Sequence, residues 1–392
     1  MRSVELFAGA GGMAIGVSRA GFQPVAVIER DPYACDTIRE NQAAGLPPMA
    51  HWPLTQGDVR DVDYGALGRV DLVSGGPPCQ PFSLGGKHRG RLDARDMFPE
   101  AVRAIRGLRP KAFIFENVRG LTRAAFRNYF EYVRLQLAFP HLVAKADEGW
   151  IDHLGRLERQ ATRGRGGDAR YRVVARVLDA ADHGVPQRRH RVFLVGFRAD
   201  LDIEWSFPEA THGADALLRD KFRTGAYWER HRVARRHRPA PTAAERARLD
   251  KAADTRGPER PWRTVRDALA GLPDPERAPA AAARIANHGF NPGARAYAGH
   301  TGSPLDAPAK ALKAGDHGVP GGENMLVRDD GSLRYFSVRE SARLQAFPDE
   351  FRFHGSWSET MRQLGNAVPV TLAETVARGV MARLASHGAP SA

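Results

Sequence analysis

The sequence contains little cysteine and no long apolar run. Cys35 and Cys79 are the two cysteines among 392 residues, which excludes a disulfide-stapled scaffold and fits a reducing cytoplasm. No apolar stretch approaches the roughly 20 residues that cross a bilayer, and no Cys/His grouping has zinc spacing. The chain begins Met1-Arg2-Ser3 and enters a predicted strand at once. We therefore expect no signal peptide, no membrane partner and no metal, and a cytoplasmic location.

Acidic residues are scarce relative to basic ones. The formal net charge of +13 favours a polyanionic partner, of which nucleic acid is the commonest. Residues 219–263 alone hold 14 Lys and Arg against 6 Asp and Glu, with Tyr227, Trp228 and His231 among them. Such a region is typical of phosphate binding, although a solvated basic surface has the same composition.

The loop that contains Cys79 carries the most distinctive chemistry. It follows the apolar run 70–74, which predicts a buried strand, so the thiol lies just past a strand's carboxyl end. Ligands bind at this edge of open α/β sheets. Two glycines permit a tight turn and two prolines stiffen the approach, which suits a nucleophile. The alternative is a small buried packing residue, which is our interpretation of Cys35.

The N-terminal segment has the pattern of a nucleotide-binding βα unit. A predicted strand ending at Phe7 leads into the Gly-rich turn 8–12 and then a helix. Glu29 ends the second predicted strand, where its carboxylate could accept both ribose hydroxyls. Asp58 lies at a third loop tip and could hold an adenine amino group. The Gly-x-Gly-Gly spacing departs from the Gly-x-Gly-x-x-Gly of dinucleotide sites.

Two further segments place charged side chains at or near strands. The strand over 112–115 ends at Glu116, for which a helix N-terminal acid is the alternative. Gln187, Arg189 and Arg191 alternate, which predicts that they share one face of a strand. Two guanidinium groups on one face suit a phosphate or a developing anionic base, whereas most Arg-rich strands are simply solvated.

In this order, the motifs resemble those of the cytosine carbon-5 DNA methyltransferases of bacterial restriction–modification type. The resemblance rests on Phe-x-Gly-x-Gly-Gly from Phe7, Pro-Pro-Cys-Gln-Pro-Phe-Ser from Pro77, Phe-Glu-Asn-Val around Glu116, Gln-x-Arg-x-Arg from Gln187, and Gly-Asn-Ala-Val-Pro from Gly365. It implies the α/β fold of class I S-adenosylmethionine-dependent methyltransferases. That fold has a Rossmann-like, mostly parallel sheet, with a smaller target recognition domain inserted before the C-terminal segment.

The resemblance also implies roles for individual residues. Cys79 is expected to add as a thiolate to carbon 6 of cytosine, and Glu116 to hold the ring nitrogen N3. Arg189 is expected to hold the base oxygen, with Gln187 beside it, and Arg191 to orient Cys79 or a phosphate. The implied cofactor is S-adenosylmethionine, which leaves as S-adenosylhomocysteine. Its expected binding residues are Phe7, Gly9, Gly11, Gly12, Glu29, Asp58, Val59, Pro78, Asn366, Ala367 and Val368.

The resemblance divides the chain into four parts. They are a catalytic and cofactor-binding domain over 1–199, a target recognition domain over 200–330, a segment over 331–386 that completes the catalytic domain, and a disordered tail over 387–392. Between the motifs, the pattern predicts helices over 98–107 and 121–138, an irregular excursion over 139–170, and a last helix over 371–384 that packs beside the first strand.

We expect a nucleoid-associated monomer that flips a cytosine out of double-stranded DNA, paired in function with a restriction endonuclease acting on the same site. Two alternatives remain. A tRNA cytosine-5 methyltransferase would have the same catalytic residues, although the large basic insert favours duplex DNA. A catalytically silent DNA-binding paralogue is the second alternative, and the intact set of Cys79, Glu116 and the two arginines argues against it.

Overall fold

The structure, a computed structural model, describes residues 1–78, 96–163, 170–251, 260–297, 301–314 and 322–388. The chain divides into two compact units. Unit 1 contains residues 1–178, 190–208 and those from 373 onward, and unit 2 contains 179–189 and 209–372. By contacts, therefore, residues 331–372 belong with the inserted region and not with the sheet. The functional division of the chain at 200 and 330 stays a prediction.

Unit 1 is built on a seven-stranded sheet. Its strands in chain order are β1 (Arg2–Leu6), β2 (Gln23–Glu29), β3 (Leu54–Gln56), β4 (Leu72–Gly75), β5 (Ala112–Val118), β6 (Tyr171–Asp179) and β7 (His190–Arg198). They lie in the order β3-β2-β1-β4-β5-β7-β6, with β1 to β5 parallel and β7 antiparallel to β5. This confirms the predicted mostly parallel α/β sheet. The strand order reverses between β1 and β4, which is where open sheets of this kind bind ligands.

Helices cover this sheet and build most of unit 2. The helices of the first half are α1 (Gly12–Arg19), α2 (Pro32–Ala43), α3 (Phe98–Leu108), α4 (Arg127–Ala138) and α5 (Trp150–Arg163). Those that follow are α6 (Ala214–Phe222), α7 (Ala226–Arg230), α8 (Ala243–Lys251), α9 (Val265–Leu269), α10 (Pro279–Ala282), α11 (Val338–Leu344), α12 (Trp357–Asn366) and α13 (Val370–Gly388). Within the described ranges, no helix is long and apolar enough to cross a membrane.

Unit 2 has short strands between its helices. They are β8 (His212–Gly213), β9 (Arg260–Pro261), β10 (Ser303–Pro304), β11 (Met325–Val327) and β12 (Leu333–Tyr335). β8 pairs with β9, and β10, β11 and β12 form a three-stranded sheet. A small aromatic cluster of Leu217, Tyr227 and Trp228 is buried in this unit. The aromatic residues of the basic stretch therefore serve partly as its core.

Local sequence signals set the ends of the first helices. Asp31 accepts a hydrogen bond from the backbone N of Ala34 at 2.9 Å, and Pro32 occupies the first helical position of α2. Gly21, with φ of 103°, follows α1 where a left-handed residue ends a helix. Both ends therefore follow from residue types that favour a helix start and a helix end.

Three predictions of local structure were wrong in part. Residues 150–163 form α5, whose Leu154 and Leu157 are buried, although the region was predicted to be irregular. The helix predicted from 121 begins at Arg127, because two 3₁₀ turns precede it. The tail was predicted to lack structure from 387, but α13 runs to Gly388, and 389–392 lie outside the described residues.

α13 belongs to unit 1 from residue 373 onward, and its predicted packing beside the first strand stays a prediction. Its Val376, Ala377 and Val380 are buried. Glu374 lies 4.0 Å from Arg19 of α1, and a Cβ at position 379 would lie 2.8 Å from the ring of Trp205. The helix near the end of the described chain thus covers elements from its beginning.

Candidate active site

The loop of Cys79 and the segment of Glu116 leave the same edge of the sheet. β4 and β5 are adjacent and parallel, with Gly75 opposite Phe115. A Cβ at position 75 would lie 2.3 Å from the carbonyl oxygen of Leu6 on β1, so glycine is required for β4 to approach β1 this closely. Cys79 itself lies outside the described residues, and Pro78, which precedes it, is exposed and accepts a hydrogen bond from the backbone N of Met97.

Glu116 is a buried carboxylate paired with one arginine. Its residue is 6 % exposed, and its Oε1 lies 2.7 Å from Nε of Arg191. In the β5–β7 ladder, Arg191 stands opposite Val118, so the pair is diagonal across two strands. A Cβ at position 76 would lie 3.3 Å from Oε2 of Glu116. Glycine at 76 therefore keeps open the space beside the second carboxylate oxygen.

Asn117 ties the two segments together. Its buried side-chain amide donates to the carbonyl oxygen of Pro77 at 2.9 Å, and its Oδ1 accepts from the backbone N of Val118. The hydrogen bond fixes the backbone two residues before Cys79 to the end of β5. Val118, by contrast, is 46 % exposed at this edge.

The turn after β1 has unusual backbone geometry. Phe7, Gly9 and Gly11 have φ values of 54°, 54° and 88°. This conformation is rare for a residue with a side chain such as Phe7. The turn delivers the chain to Gly12, where α1 begins without a side-chain cap at Gly11. The first amides of α1 thus have no capping side chain and suit a carboxylate of a ligand.

Glu29 is held by backbone donors at the end of β2. Its Oε2 accepts from the N of Gly9 at 2.7 Å, and its Oε1 accepts from the N of Arg30 and of Asp31. A carboxylate has about four acceptor positions, so about one stays available to a ligand hydroxyl. The carboxylate also fixes the Gly-rich turn to the second strand.

Asp58 is engaged by two arginines. Its carboxylate accepts from the backbone N, Nε and Nη2 of Arg60, at 3.0, 2.9 and 2.6 Å, and from Nη1 of Arg30 at 3.3 Å. The hydrogen bonds from Arg60 hold the pKa of the Asp58 carboxyl below its usual range. A ligand amino group would have to displace one of these donors, and the long contact with Arg30 is the weakest. Val59, the next residue, is buried.

The Gln187–Arg191 segment does not lie on one strand face, because β7 begins at His190. The predicted common face for the three side chains is therefore wrong. Arg189 belongs to unit 2, is fully buried, and donates to the carbonyl oxygens of Leu312, Gly365 and Ala367 at 2.8, 2.5 and 3.0 Å.

Gln187 also contacts backbone. Its amide donates to the carbonyl oxygen of Leu344 and accepts from the N of Leu312, both at 3.1 Å. The guanidinium of Arg189 and the amide of Gln187 thus stabilise the inside of unit 2.

The last predicted cofactor residues also lie in unit 2. Asn366 ends α12, Ala367 follows as its C-cap, and Val368 is buried. A Cβ at position 365 would lie 2.2 Å from the backbone N of Ala314, so this turn packs tightly against the chain near 314.

A family model supplies the observation that decides the identity. The model described as C-5 cytosine-specific DNA methylase matches residues 1–139 and 166–382. The chain belongs to this family. It is a DNA (cytosine-5-)-methyltransferase of the kind found in restriction–modification systems.

Two curated relatives extend the match to nearly the whole chain. The chain is 30 % identical over 386 residues to the Type II methyltransferase M.NgoMIV of Neisseria gonorrhoeae, with 97 % of each chain covered. It is 31 % identical over 388 residues to the Type II methyltransferase M.PspPI of Psychrobacter sp., covering 97 % of this chain and 79 % of the relative. The crystal structure of the S. pombe Dnmt2 methyltransferase has the same fold, with a TM-score of 0.55, 16 % identity, and 99 % and 100 % of the two chains covered.

The residues of the methylase fit S-adenosylmethionine, the cofactor on which its family depends. Uncapped amides at the start of α1 suit the cofactor's carboxylate, and Glu29 keeps an acceptor for a ribose hydroxyl. A cleft of about 220 Å³ beside Asp58 has Ile28, Val62 and Leu67 on its walls, which suits a flat apolar ring with a polar rim. In the described ranges, no group of three or more His, Cys, Asp or Glu side chains could hold a metal ion.

Sequence reasoning missed two polar residues of the methylase's sheet edge. Asn117 lies inside a quoted motif but received no role. Glu5 lies on β1, is 2 % exposed, and shares a hydrogen bond with Ser74 of β4. Burial raises the pKa of the Glu5 carboxyl to about 8, so at neutral pH it is mainly protonated. An acid within an otherwise apolar run was the signal that could have found it.

Proposed function

We propose that the methylase transfers a methyl group from S-adenosylmethionine to carbon 5 of a flipped-out cytosine within a specific sequence of duplex DNA. We further propose that it acts as a monomer, at the nucleoid, as the modification enzyme of a restriction–modification system whose endonuclease recognises the same site. The Type II designation of its relatives supports this setting.

One observation carries the proposed chemistry. The carboxylate of Glu116 is fixed through Oε1 by Arg191, while its Oε2 faces the space that Gly76 leaves open. The same strand end holds the carbonyl of Pro77 through Asn117, two residues before Cys79. A carboxylate fixed to the backbone that leads into the Cys79 loop suits two opposite positions of one pyrimidine ring, N3 for Glu116 and C6 for Cys79.

In this reaction, the thiolate of Cys79 forms a bond to carbon 6, and the electrons of the C5–C6 double bond make carbon 5 nucleophilic. Glu116 holds a proton at N3 and so stabilises the charge that builds on the ring. S-adenosylmethionine, when bound, supplies the methyl group and leaves as S-adenosylhomocysteine. Loss of the carbon-5 proton to water then restores the C5–C6 bond and breaks the bond from carbon 6 to Cys79.

The contacts of Arg189 favour a supporting role over contact with the base oxygen. Its guanidinium donates to three backbone carbonyls in unit 2 and is fully buried. We propose that Arg189 and Gln187 hold unit 2 in shape, and that Arg191 positions Glu116.

The test is methyl transfer from S-adenosylmethionine to unmethylated genomic DNA, with the products mapped by bisulfite sequencing. The wild type is expected to modify one short motif, and Cys79→Ser is expected to leave no modification above background. Cys35→Ser is the matched control, because Cys35 is fully buried and burial raises the pKa of its thiol to about 12, which rules out a thiolate nucleophile at neutral pH.

Other outcomes would replace the proposal. Transfer to tRNA without transfer to DNA would identify an RNA methyltransferase. Binding to DNA with no transfer to either substrate would identify a recognition protein on a silent enzyme fold. Equal activity in Cys79→Ser and wild type would refute the covalent mechanism alone.

A further inference from the structure

A run of three arginines follows the end of β5. Residues 117–130 contain Arg119, Arg123 and Arg127 and no Asp or Glu. The three side chains, which we call the arginine strip, belong to exposed residues. Arg119 lies in a 3₁₀ turn, Arg123 is extended with φ of −67° and ψ of 150°, and Arg127 begins α4.

The arginine strip has no acidic partner in the described part of the chain. On its C-terminal side the nearest acid in sequence is Glu131, one helical turn after Arg127, but both of its carboxylate oxygens accept from Arg134. Glu116, three residues before the strip begins, forms an ion pair with Arg191. Exposed arginines elsewhere in unit 1, such as Arg39 and Arg378, are paired with acids.

The position of the arginine strip is set by the same strand that presents Glu116. Arg119 follows Val118 directly, and Asn117 fixes this strand end to Pro77 before the Cys79 loop. The strip therefore starts at the candidate catalytic edge of unit 1, beside a residue, Val118, that is itself 46 % exposed.

Its spacing suits a polyanion rather than a single anion. At about 2.0 Å per residue of 3₁₀ turn, four residues advance roughly 8 Å, and the extended Arg123 separates the two turns further. Phosphates in one strand of duplex DNA follow at about 3.4 Å along the axis. Successive arginines of the strip can thus reach different phosphates, whereas one small anion could engage only one or two of them.

We propose that the arginine strip binds the phosphate backbone of the DNA strand that carries the target cytosine, next to the flipped nucleotide. This inference rests on the proposed function for its location, and it names the part of unit 1 that holds the substrate's backbone. Guanidinium groups bind phosphates with charge-assisted, often paired hydrogen bonds, and such contacts position DNA without reading its sequence.

The experiment compares two triple variants with equal change in net charge. The test variant is Arg119→Gln/Arg123→Gln/Arg127→Gln. The control is Arg39→Gln/Arg172→Gln/Arg378→Gln, which removes exposed arginines of unit 1 that pair with Asp36, Asp202 and Glu374. Fluorescence anisotropy gives the affinity for an unmethylated duplex that contains the motif modified by the wild type, measured as a function of NaCl concentration. Thermal melting checks that each variant is folded.

The strip variant is expected to bind duplex DNA at least about 10-fold more weakly near 0.15 M salt. The slope of the logarithm of the binding constant against the logarithm of the salt concentration should be shallower by up to about 2.7. This corresponds to about 0.9 for each phosphate that the variant no longer neutralises. The control should stay within about 2-fold of wild type, and Arg→Lys at all three strip positions should keep most of the slope. Single-turnover methyl transfer at saturating DNA should be nearly unchanged, because the strip acts in binding.

Several results would overturn the proposal. They are a salt slope equal to that of the control, a wild type that does not bind duplex DNA, and a slope change confined to RNA. A wild type that binds DNA but transfers no methyl group would instead refute the proposed function, while the slope comparison would still decide whether the strip contacts phosphate.

Discussion

Arg189 and Arg191 belong to one short motif but contact different kinds of acceptor. The guanidinium of Arg189 is fully buried in unit 2 and donates to the backbone carbonyls of Leu312, Gly365 and Ala367. Arg191, two residues later in unit 1, pairs with the carboxylate of Glu116 at the sheet edge. The comparison shows how the acceptor separates two arginines of one motif: three carbonyls hold Arg189 inside unit 2, whereas Arg191 pairs with a carboxylate whose catalytic role is our proposal.

The largest expected effect is on the methyl-transfer rate when the ion pair of Glu116 and Arg191 is changed. Glu116→Gln should lower the single-turnover rate of methyl transfer by about 10²–10⁴-fold, because a neutral amide cannot hold a proton at N3. The amide still offers an acceptor to Arg191, so thermal melting should change little. A large loss of stability with an unchanged rate would place Glu116 among the structural residues instead.

The next prediction concerns Arg189, the buried arginine of the two. Arg189→Lys should lower the free energy of unfolding by about 3 kcal/mol, because a single compact ammonium nitrogen cannot span the three carbonyl oxygens that Nη1 and Nη2 of the guanidinium now contact. Urea denaturation would measure it, with Arg248→Lys as the control at an exposed ion pair of the same unit. The control should change by at most about 0.5 kcal/mol. An unchanged free energy of unfolding together with a strongly reduced methyl-transfer rate would instead indicate that Arg189 acts in catalysis.

A smaller effect concerns the space beside Glu116. Gly76→Ala places a Cβ 3.3 Å from Oε2, so the carboxylate must move by a few tenths of an ångström. We expect the methyl-transfer rate to fall about 10-fold, since misplaced catalytic groups lose rate quickly. Gly155→Ala, where nothing lies within 4 Å, is the control and should keep full activity. Equal rates in both variants would show that the space at 76 is not used.

The last prediction concerns Glu5, whose effect on stability depends on pH, unlike those of the two arginines. Its pKa of about 8 in the folded state exceeds the ordinary 4.5, so between these pH values the folded chain holds a proton that the unfolded chain has lost. Stability from this group therefore falls as pH rises from 4.5 to 8, by at most about 1.4 kcal/mol per unit, and is flat above. Glu5→Gln should remove that slope, measured by urea denaturation across pH.

Glu158→Gln, on the exposed face of α5, is the matched control for Glu5. It should leave the dependence of stability on pH as it is in the wild type. If Glu5→Gln and Glu158→Gln gave the same pH profile as the wild type, the buried carboxyl would not be titrating in the predicted window.

Much of unit 1 could be predicted because its signals are local. Short apolar runs predicted β1, β2, β4 and β5 to within a few residues. Glu29 and Glu116 were predicted at strand ends for the same reason; Glu29 ends β2, whereas β5 runs two residues past Glu116 to Val118. Their roles stay predictions.

The missed features depend on partners far away in sequence. The acceptors of Arg189 lie 123 and 176 residues away, at Leu312 and Gly365, so alternation within 187–191 could not reveal them. The helix α5 was missed because charged residues separate its few buried apolar positions. The bond between Asn117 and Pro77 joins segments 40 residues apart.

The placement of α13 bears on how the chain is made. Residues up to 198 contain every strand of the main sheet, yet the helix that covers α1 and Trp205 begins at 370. At roughly 5–20 residues per second, a ribosome needs on the order of 10–40 s to proceed from β7 to the end of α13. For that time α1 and Trp205 lack the helix that packs on them, so the surface that it covers stays exposed while the rest of the chain is made.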